Sequence, residues 1–289
     1  MADSQKQVVQ WFPGHMAQTR RVMKENLGSV DIVFELLDAR IPQSSRNPEI
    51  RALLGEKKSV VILNKADLAN TESTARWIQY FSNEGLGAVA LDSKNGKGTQ
   101  EVLAEARKLL KEKIQRDRER GMTKPIRAMV VGIPNVGKST LINRFAGSKK
   151  AQAENRPGVT LSKQWVPTSM GFDLLDMPGV LWPKFEDASV GEALAMTGAI
   201  KDAILDTEEI AMLLCSRLMR VAKDSFVTRY KLNTDECEEL DSYDLFELVG
   251  KRRGLLMSGG AVNSERCANM LLEEFRSGKI GRITLDIPR

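Results

Sequence analysis

An eight-residue stretch in the middle of the chain constrains its fold more than any other part of the sequence. Gly132-Ile-Pro-Asn-Val-Gly-Lys-Ser139 fits the pattern G-x-x-x-x-G-K-S, follows an apolar run at residues 126–131 and opens a helical pattern. Such glycines let backbone N–H groups cradle phosphates, while Lys138 reaches the terminal phosphates and Ser139 offers its hydroxyl to Mg²⁺. The alternative is a chance glycine-rich turn, which average residue usage produces in about one chain in a hundred of this length.

We therefore predict a phosphate loop at residues 132–139. The residues assigned to phosphate contact are Asn135, Val136, Gly137, Lys138, Ser139 and Thr140. The loop requires a strand before it and a helix after it, so it also predicts an α/β fold around this point.

A second motif, Asp176-Met-Pro-Gly179, ends another apolar run. Nucleoside triphosphatases with a phosphate loop place a Mg²⁺-holding carboxylate at this point. Gly179 can bring its backbone N–H to the γ-phosphate because no side chain blocks the approach. Between the two motifs, the last hydroxyl of Arg156-Pro-Gly-Val-Thr160 can complete the metal shell, with a simple Pro-Gly turn as the alternative. The predicted Mg²⁺ ligands are Ser139, Thr160 and Asp176.

The identity of the base is indicated by Asn64-Lys-Ala-Asp67, the base loop, which directly follows an apolar strand. The carboxylate of Asp67 can accept hydrogen bonds from the ring N–H and the exocyclic amine of guanine, an arrangement that adenine does not offer. Asn64 can pair with the other base edge and brace the phosphate loop, and the stem of Lys65 can cover a ring face. The alternative is an ordinary loop leading into a helix.

Further base contacts are expected after the strand at residues 87–91, where backbone donors can approach the base oxygen. The complete set assigned to the base is Asn64, Lys65, Ala66, Asp67, Asp92, Ser93 and Lys94. The base loop precedes the phosphate loop, whereas Ras-type GTPases have the phosphate loop first. The sequence therefore predicts a circular permutation, with the old termini joined through residues 119–124 and a new cut just after Gly179.

Apolar runs and helical periodicity alternate along the first two thirds of the chain. They predict strands at 31–37, 59–63, 87–91, 126–131, 162–168 and 171–175, and helices at 16–27, within 46–54, at 71–83, at 99–118 and up to about 145. This alternation indicates an α/β fold with a mostly parallel sheet and helices on both faces. We expect a permuted GTPase domain with an N-terminal extension over residues 1–185. A smaller all-α domain is expected over residues 186–289, with helices beginning at 207 and spanning 264–276.

The composition is that of a soluble globular protein, with 42% hydrophobic and 28% charged residues. No apolar run is long enough to span a bilayer and the N-terminus lacks a secretion signal, so we expect a cytoplasmic protein without a membrane partner. The three cysteines lack Cys-x-x-Cys spacing and are expected to serve in packing. A net charge of +5 fits either a nucleic-acid partner or an ordinary basic surface.

Together these motifs closely resemble the circularly permuted bacterial GTPases of large-ribosomal-subunit biogenesis, the YlqF/RbgA family. The resemblance covers essentially the whole chain and includes Trp11-Phe-Pro-Gly-His-Met16 and Asp38-Ala-Arg-Ile-Pro42. It implies a late step of 50S assembly, GTP hydrolysis stimulated by the ribosomal subunit, and a helical domain that contacts rRNA. We expect GTP or GDP with Mg²⁺ as ligands, a large-subunit precursor with its rRNA and ribosomal proteins as partner, and a monomer away from the ribosome.

Two catalytic features follow from the resemblance. Related potassium-stimulated GTPases hold K⁺ with an Asn of the phosphate loop, and Asn135 occupies that position, with a turn residue as the alternative. Ras-type enzymes orient the attacking water with a Gln where this chain has Val180, which cannot hydrogen-bond water. The resemblance points instead to His15, whose imidazole can orient or deprotonate water near neutral pH. Packing or rRNA contact is the alternative role of His15.

The segment after Gly179 runs through Leu181-Trp-Pro183 into the helical part, so nucleotide state can reorient that part. The basic residues proposed for rRNA contact, with a solvated surface as the alternative, are Arg217, Arg220, Lys223, Arg229, Lys231, Lys251, Arg252, Arg253, Arg276, Lys279 and Arg282. Two other functions compete with the GTPase switch: a GTP-gated binding module without meaningful hydrolysis, and a metabolic kinase. The kinase is disfavoured because the base loop selects guanine and no acceptor site is evident.

Overall fold

The computed structural model describes residues 13–147, 165–182, 185 and 187–288, with side chains from residue 18 onward. The strands are β1 (Ile32–Asp38), β2 (Ser59–Asn64), β3 (Gly87–Leu91), β4 (Ile126–Gly132), β5 (Trp165–Pro167) and β6 (Phe172–Asp176). The helices that accompany them are α1 (Pro13–Leu27), α2 (Pro48–Leu54), α3 (Thr71–Asn83), α4 (Thr99–Leu109), α5 (Lys111–Glu119) and α6 (Lys138–Ala146). Six helices follow: α7 (Ala188–Met196), α8 (Thr207–Val221), α9 (Lys223–Tyr230), α10 (Thr234–Glu238), α11 (Ser242–Arg252) and α12 (Ser264–Arg276).

The six strands form one sheet in the order β3-β2-β1-β4-β6-β5. All neighbouring pairs are parallel except β5 and β6, which are antiparallel. The central pair, β1 and β4, brings the first strand of the described residues beside the strand that leads into the phosphate loop. The expected α/β fold with a mostly parallel sheet is thereby confirmed.

The sheet is covered on both faces, which explains why its strands are apolar on both sides. On one face, Val33 and Met129 pack in a cluster with residues of α1 and α2, while Trp77 and Phe81 of α3 cover β2. On the other face, residues of α4 and α6 pack on β1, β2 and β4. Phe34 lies at the centre there, with its ring 6.3 Å from that of Phe145 and 6.0 Å from that of Phe172.

One helix expected at residues 99–118 is two helices in the structure. The break lies at Leu110, which has φ −99° and ψ 10° and ends α4. Leu110 is buried at the edge of the core, whereas no residue of α5 is buried. The helix is therefore interrupted where its contact with the core ends, a tertiary effect that the local periodicity does not indicate.

The later helices pack around α8, which contacts α7, α9, α11 and α12. The cysteines Cys215, Cys237 and Cys267 are buried in this region. Beyond α12 the chain leaves the helices: residues 281–288, the C-terminal segment, lie against the loops that follow β1 and β2. Among the helices that the structure describes, none combines the length and the apolar character needed to cross a membrane.

Candidate nucleotide-binding site

The segments assigned to the nucleotide all follow carboxyl ends of strands. The phosphate loop follows β4, the base loop follows β2, residues 92–97 follow β3, and Asp176-Met-Pro-Gly179 follows β6. Because these strands are parallel, their carboxyl ends meet at one edge of the sheet, where open α/β sheets bind ligands. The fold therefore gathers motifs that are dispersed along the sequence.

Asn64 connects three of these segments. Its side chain is fully buried, donates from Nδ2 to the carbonyl oxygen of Val136 at 2.7 Å and accepts at Oδ1 from the backbone N–H of Ser93 at 3.2 Å. A Cβ at Gly137 would lie 2.3 Å from Asn64 Nδ2, and Gly137 has φ +104°. Glycine is therefore required at residue 137, both by its backbone conformation and by the brace beneath it. The expected contact of Asn64 with the base edge stays a prediction.

Lys138 begins α6, whose N-terminus opens onto the phosphate loop. Its Nζ donates to the carbonyl oxygens of Ile133 at 2.8 Å and Gly132 at 3.2 Å. Burial lowers the pKa of Lys138 to about 8, although the nearby Asp176 carboxylate opposes this shift. A buried ammonium held by neutral carbonyls is a suitable partner for the negative charge of a phosphate.

Asp176 and Gly179 lie next to this ammonium. Burial raises the pKa of Asp176, and the charge of Lys138 partly offsets the rise. A Cβ at Gly179 would lie 2.8 Å from Lys138 Nζ and 2.8 Å from Pro134 Cα, so no side chain fits there. Ser139 in the first turn of α6 and Asp176 at the end of β6 supply a hydroxyl and a carboxylate, the hard oxygen ligands that suit Mg²⁺.

Val180 follows Gly179 and is fixed against the phosphate loop. Its backbone N–H donates to the carbonyl oxygen of Gly132 at 3.3 Å, and its own carbonyl accepts from Asn47 Nδ2 at 3.2 Å. The Val180 side chain is buried and apolar. The residue that replaces the Ras-type Gln therefore offers no polar group to an attacking water.

The base loop carries an exposed carboxylate at Asp67 and a side chain at Lys65 that is held in place. Lys65 has φ +58°, and its Nζ lies 3.0 Å from Asp38 Oδ2. The same carboxylate accepts two hydrogen bonds from the guanidinium of Arg40, at 2.9 and 2.7 Å. Neither Asp38 nor Arg40 is among the site residues that the sequence motifs predict. The signal for them in the sequence is a charged pair at the end of a buried strand, on the ligand-binding edge of the sheet.

Residues 92–97 form a tight loop around Asp92. Its Oδ1 accepts from the backbone N–H groups of Lys94 and Asn95, each at 3.0 Å. Arg144 of α6 donates from Nε to the carbonyl oxygen of Ser93 at 3.3 Å and from Nη2 to that of Lys94. The carboxylate of Asp92 thus shapes the loop. Its own contact with the nucleotide stays a prediction.

Three remaining assignments concern Asn135, Thr160 and His15. Asn135 has φ +56°, and its Nδ2 donates to the carbonyl oxygen of Gly198, just after α7, at 2.8 Å. Its Oδ1, the atom that would ligate K⁺, is not used in that bond. Thr160 lies outside the described residues. His15 lies in the first turn of α1, but its side chain is outside the described part.

The basic residues proposed for rRNA contact divide into two groups. The first donates hydrogen bonds within the protein: Arg217, Lys223, Arg229, Arg253, Arg276 and Arg282. Arg276, for example, donates to the carbonyl oxygens of Met196 and Ala195 and pairs with Asp202 at 2.7 Å. The second group is exposed, and three of its members form only longer ion pairs, of 3.4 Å for Lys251, 3.9 Å for Arg252 and 3.6 Å for Lys279. This group consists of Arg220, Lys231, Lys251, Arg252 and Lys279. We therefore narrow the candidates to the second group.

Comparison with known proteins places this site in a family. A family model described as 50S ribosome-binding GTPase matches residues 127–240, a range that contains the phosphate loop but begins after the base loop, as a permuted order requires. The chain is 49% identical to ribosome biogenesis GTPase A of Priestia megaterium over 97% of both chains. It is 34% identical to mitochondrial ribosome-associated GTPase 1 of Mus musculus, covering 96% of this chain and 90% of that protein.

The solved structures agree with these relatives. The GDP-bound structure of YlqF from Thermotoga maritima superimposes with a TM-score of 0.64 and 26% identity, covering 93% of this chain and 99% of that chain. The fold, the motifs and these near full-length similarities agree with one another. The chain therefore belongs to the ribosome biogenesis GTPase A family, also called YlqF/RbgA, and is a GTP-hydrolysing enzyme of ribosome assembly.

Proposed function

We propose that this protein acts at a late step of 50S maturation, that the ribosomal subunit stimulates its GTP hydrolysis, and that its helical region, residues 186–289, contacts rRNA. The observation that carries the proposal is the bridge made by Asn64, which joins the base loop to the phosphate loop and to residues 92–97. A site that couples base and phosphate recognition in this way suits a nucleotide-dependent switch.

In this proposal Asp67 reads the guanine base and Lys138 binds the terminal phosphates. Ser139 and Asp176 hold Mg²⁺, which screens the phosphate charge when bound. Thr160 completes the metal shell when a triphosphate is present. Solved structures of T. maritima YlqF with GDP and with GNP support binding of both a diphosphate and a triphosphate analogue.

Stimulation by the subunit is supported by the apolar residue at the position where Ras-type enzymes hydrogen-bond the attacking water. Val180 is buried and apolar, so the position next to Gly179 supplies no hydrogen bond. His15, near the start of α1, is our candidate to orient or deprotonate that water after docking on the ribosome. Asn135 is our candidate K⁺ ligand, because its Oδ1 is not used in its bond to Gly198. A packing or rRNA-contact role is the competing assignment for His15.

A link from the γ-phosphate to the helical region is supported by buried contacts. Leu181 and Trp182 directly follow Val180 and are buried, and the Trp182 ring lies 5.1 Å from that of Phe185. We propose that nucleotide state changes the orientation of the helical region through this path. Solution scattering profiles should differ between the GDP form and a non-hydrolysable GTP form. Identical profiles contradict this part of the proposal.

The central test is multiple-turnover phosphate release with and without 50S subunits. We expect slow release by the protein alone and a large increase with subunits. His15→Ala should keep GTP affinity and basal release but lose the stimulation, and full stimulation in this variant removes His15 from the mechanism. A GTP-gated binding module, the competing function, would bind subunits without releasing phosphate above background.

Contact with rRNA is tested by cosedimentation with immature large subunits across a salt series. Neutralising a phosphate contact should weaken binding and lower the salt dependence by about one counterion for each residue removed. Lys251→Ala with Arg252→Ala is the test variant, and Arg118→Ala with Arg120→Ala on and beside α5 is a control of equal charge change. Equal salt slopes in both double variants contradict the assignment.

A further inference from the structure

Arg282 of the C-terminal segment holds the loop that carries Asp67. Its Nε donates to the carbonyl oxygen of Ala69 at 3.0 Å and its Nη2 to that of Ala66 at 2.9 Å. The two carbonyls lie on either side of Asp67 in the sequence. A guanidinium is a rigid planar fork, so donation to both carbonyls fixes their separation and thereby the backbone between them.

The backbone of the C-terminal segment continues this attachment along two loops. Ile283 N–H donates to the carbonyl oxygen of Leu68 at 3.0 Å, and Leu285 N–H donates to that of Arg40 at 2.7 Å. The Thr284 hydroxyl donates to the carbonyl oxygen of Ala39 at 3.3 Å and accepts from the backbone N–H of Asn70 at 3.2 Å. The segment therefore lies between the loop after β1 and the loop after β2 and bonds to both.

Asp286 anchors the far end of the C-terminal segment. Its buried carboxylate accepts from the backbone N–H of Ser44 at 2.7 Å and from the Ser44 hydroxyl at 2.9 Å. Its carbonyl oxygen accepts from the indole N–H of Trp77 at 3.2 Å. Just before the segment, a Cβ on Gly278 would lie 2.9 Å from Leu68 Cδ2, so the chain turns tightly against the residue that follows the base loop. The segment is therefore fixed on both sides of Arg282.

A second attachment reaches the base loop from α12. Arg40 donates from Nη1 to the carbonyl oxygen of Arg276 at 3.4 Å, and its guanidinium lies 5.5 Å from the centre of the Phe275 ring. The same guanidinium pairs with Asp38, which in turn holds Lys65. Residues on both sides of Asp67 are thus tied to the end of the chain.

We propose that Arg282 is a positioning residue for guanine selectivity. Asp67 is exposed at the tip of its loop, so the direction of its carboxylate depends on a fixed backbone. Arg282 supplies that constraint from the end of the helical region. The inference rests on the proposed role of Asp67 in recognising guanine. It adds the residue that fixes the backbone on either side of Asp67.

The proposal predicts a change in discrimination and not only in affinity. Inosine lacks the exocyclic amine of guanine, so it can form only one of the two hydrogen bonds to Asp67. If the loop is released, nucleotides also bind to conformations in which Asp67 does not contact the base, and these do not distinguish guanine from hypoxanthine. The GDP affinity should therefore fall more than the IDP affinity, and their ratio should approach one.

The test is the pair of dissociation constants for GDP and IDP. For the wild type we expect GDP to bind about tenfold or more tightly than IDP, the value of one charged hydrogen bond. Arg282→Ala should lose most of that preference. Arg282→Lys keeps the charge but cannot donate to both carbonyls as a fork, so it should be intermediate and provides a second variant if the first folds poorly. Arg266→Ala, an exposed arginine of α12, is the matched control and should keep both constants.

The outcomes separate this inference from the function on which it rests. If Arg282→Ala weakens GDP and IDP by the same factor, Arg282 has a structural role only and the inference is overturned. Asp67→Asn tests the underlying assignment: an unchanged GDP preference in that variant shows that Asp67 does not read the base. Loss of the preference in Asp67→Asn but not in Arg282→Ala leaves the guanine site intact and rejects the positioning role.

Discussion

Lys65 and Asp38 form an ion pair, with 3.0 Å between Nζ and Oδ2, that joins the loop after β2 to the last residue of β1. Asp38 also pairs with Arg40 at 2.7 Å, and the side chains of Asp38 and Arg40 are each 2% exposed. Burial opposes ionisation of Asp38, but the Arg40 guanidinium and the Lys65 ammonium outweigh it and hold its pKa well below the usual range. One buried carboxylate thus balances two cations next to the base site.

We expect Asp38→Asn to destabilise the protein by about 3 kcal/mol, because it leaves the buried Arg40 and the neighbouring Lys65 without their shared counter-charge. Equilibrium denaturation in urea measures the loss. Asp117→Asn is the control, since it removes an aspartate from an ion pair with Lys113 on the surface helix α5. That change should have little effect. Equal stabilities of the two variants would falsify a structural role for the buried cluster.

Nucleotide binding should take up a proton at alkaline pH. Burial lowers the pKa of Lys138 to about 8 in the nucleotide-free protein, so the side chain is mostly charged at pH 7 and mostly neutral at pH 8.5. Phosphates favour the charged form and raise that pKa in the complex. Uptake on GDP binding should rise from about a tenth of a proton at pH 7 to about three quarters at pH 8.5.

Isothermal titration calorimetry in buffers of different ionisation enthalpy counts these protons. The GDP affinity should decrease over the same interval, because charging Lys138 then costs free energy. The folding stability of the nucleotide-free protein should instead increase over this pH interval. The pKa of Lys138 is lower in the folded protein than in the unfolded chain, so the free energy of unfolding increases as the pH rises above about 8. Uptake that stays near zero up to pH 8.5 contradicts the lowered pKa.

Gly179→Ala should weaken binding of a GTP analogue by about tenfold or more while affecting GDP less. The added Cβ would lie 2.8 Å from Pro134 Cα and from Lys138 Nζ, so it displaces the segment that we assign to the γ-phosphate. Fluorescent nucleotide titration compares the two ligands. Gly28→Ala is a suitable control, because nothing lies within 4 Å of a Cβ at that position. An equal loss for both ligands argues against γ-phosphate sensing by Gly179.

The local features of the fold could be predicted because short-range chemistry determines them. The helix Ser264–Arg276 has the predicted bounds, since the Asn263 side chain accepts from Arg266 N–H at its start and Gly278 follows its end. The phosphate loop is a single contiguous strand, turn and helix. Its assignment therefore needed no knowledge of the rest of the chain.

The long-range supports of the base loop could not be predicted in this way. Arg282 is separated by 216 positions from Ala66, whose carbonyl oxygen it binds, and nothing local to Arg282 indicates that partner. Its charge alone predicts contact with rRNA. The same is true of Arg276, which is held by the carbonyl oxygens of the last two residues of α7 and by Asp202. Charge is visible in a sequence, but whether a basic side chain is hydrogen-bonded within the protein depends on tertiary packing.

One substitution should reverse the preference of the site for guanine over xanthine. In Asp67→Asn the side-chain amide nitrogen meets the exocyclic amine of guanine, which places two donors opposite each other. Xanthine carries a carbonyl oxygen in place of that amine and keeps the ring N–H, so an asparagine can donate to the first and accept from the second. The variant should therefore lose GDP affinity by about a hundredfold and bind XDP more tightly than GDP.

Competition of GDP and XDP for a fluorescent nucleotide measures the preference in both proteins. The wild type should reject XDP, because its C2 carbonyl oxygen faces the Asp67 carboxylate and both are acceptors. Thermal unfolding of the nucleotide-free variant serves as the control for folding, since Asp67 is exposed and its replacement should not alter stability. A variant that folds normally but keeps its preference for GDP would place guanine recognition on residues other than Asp67.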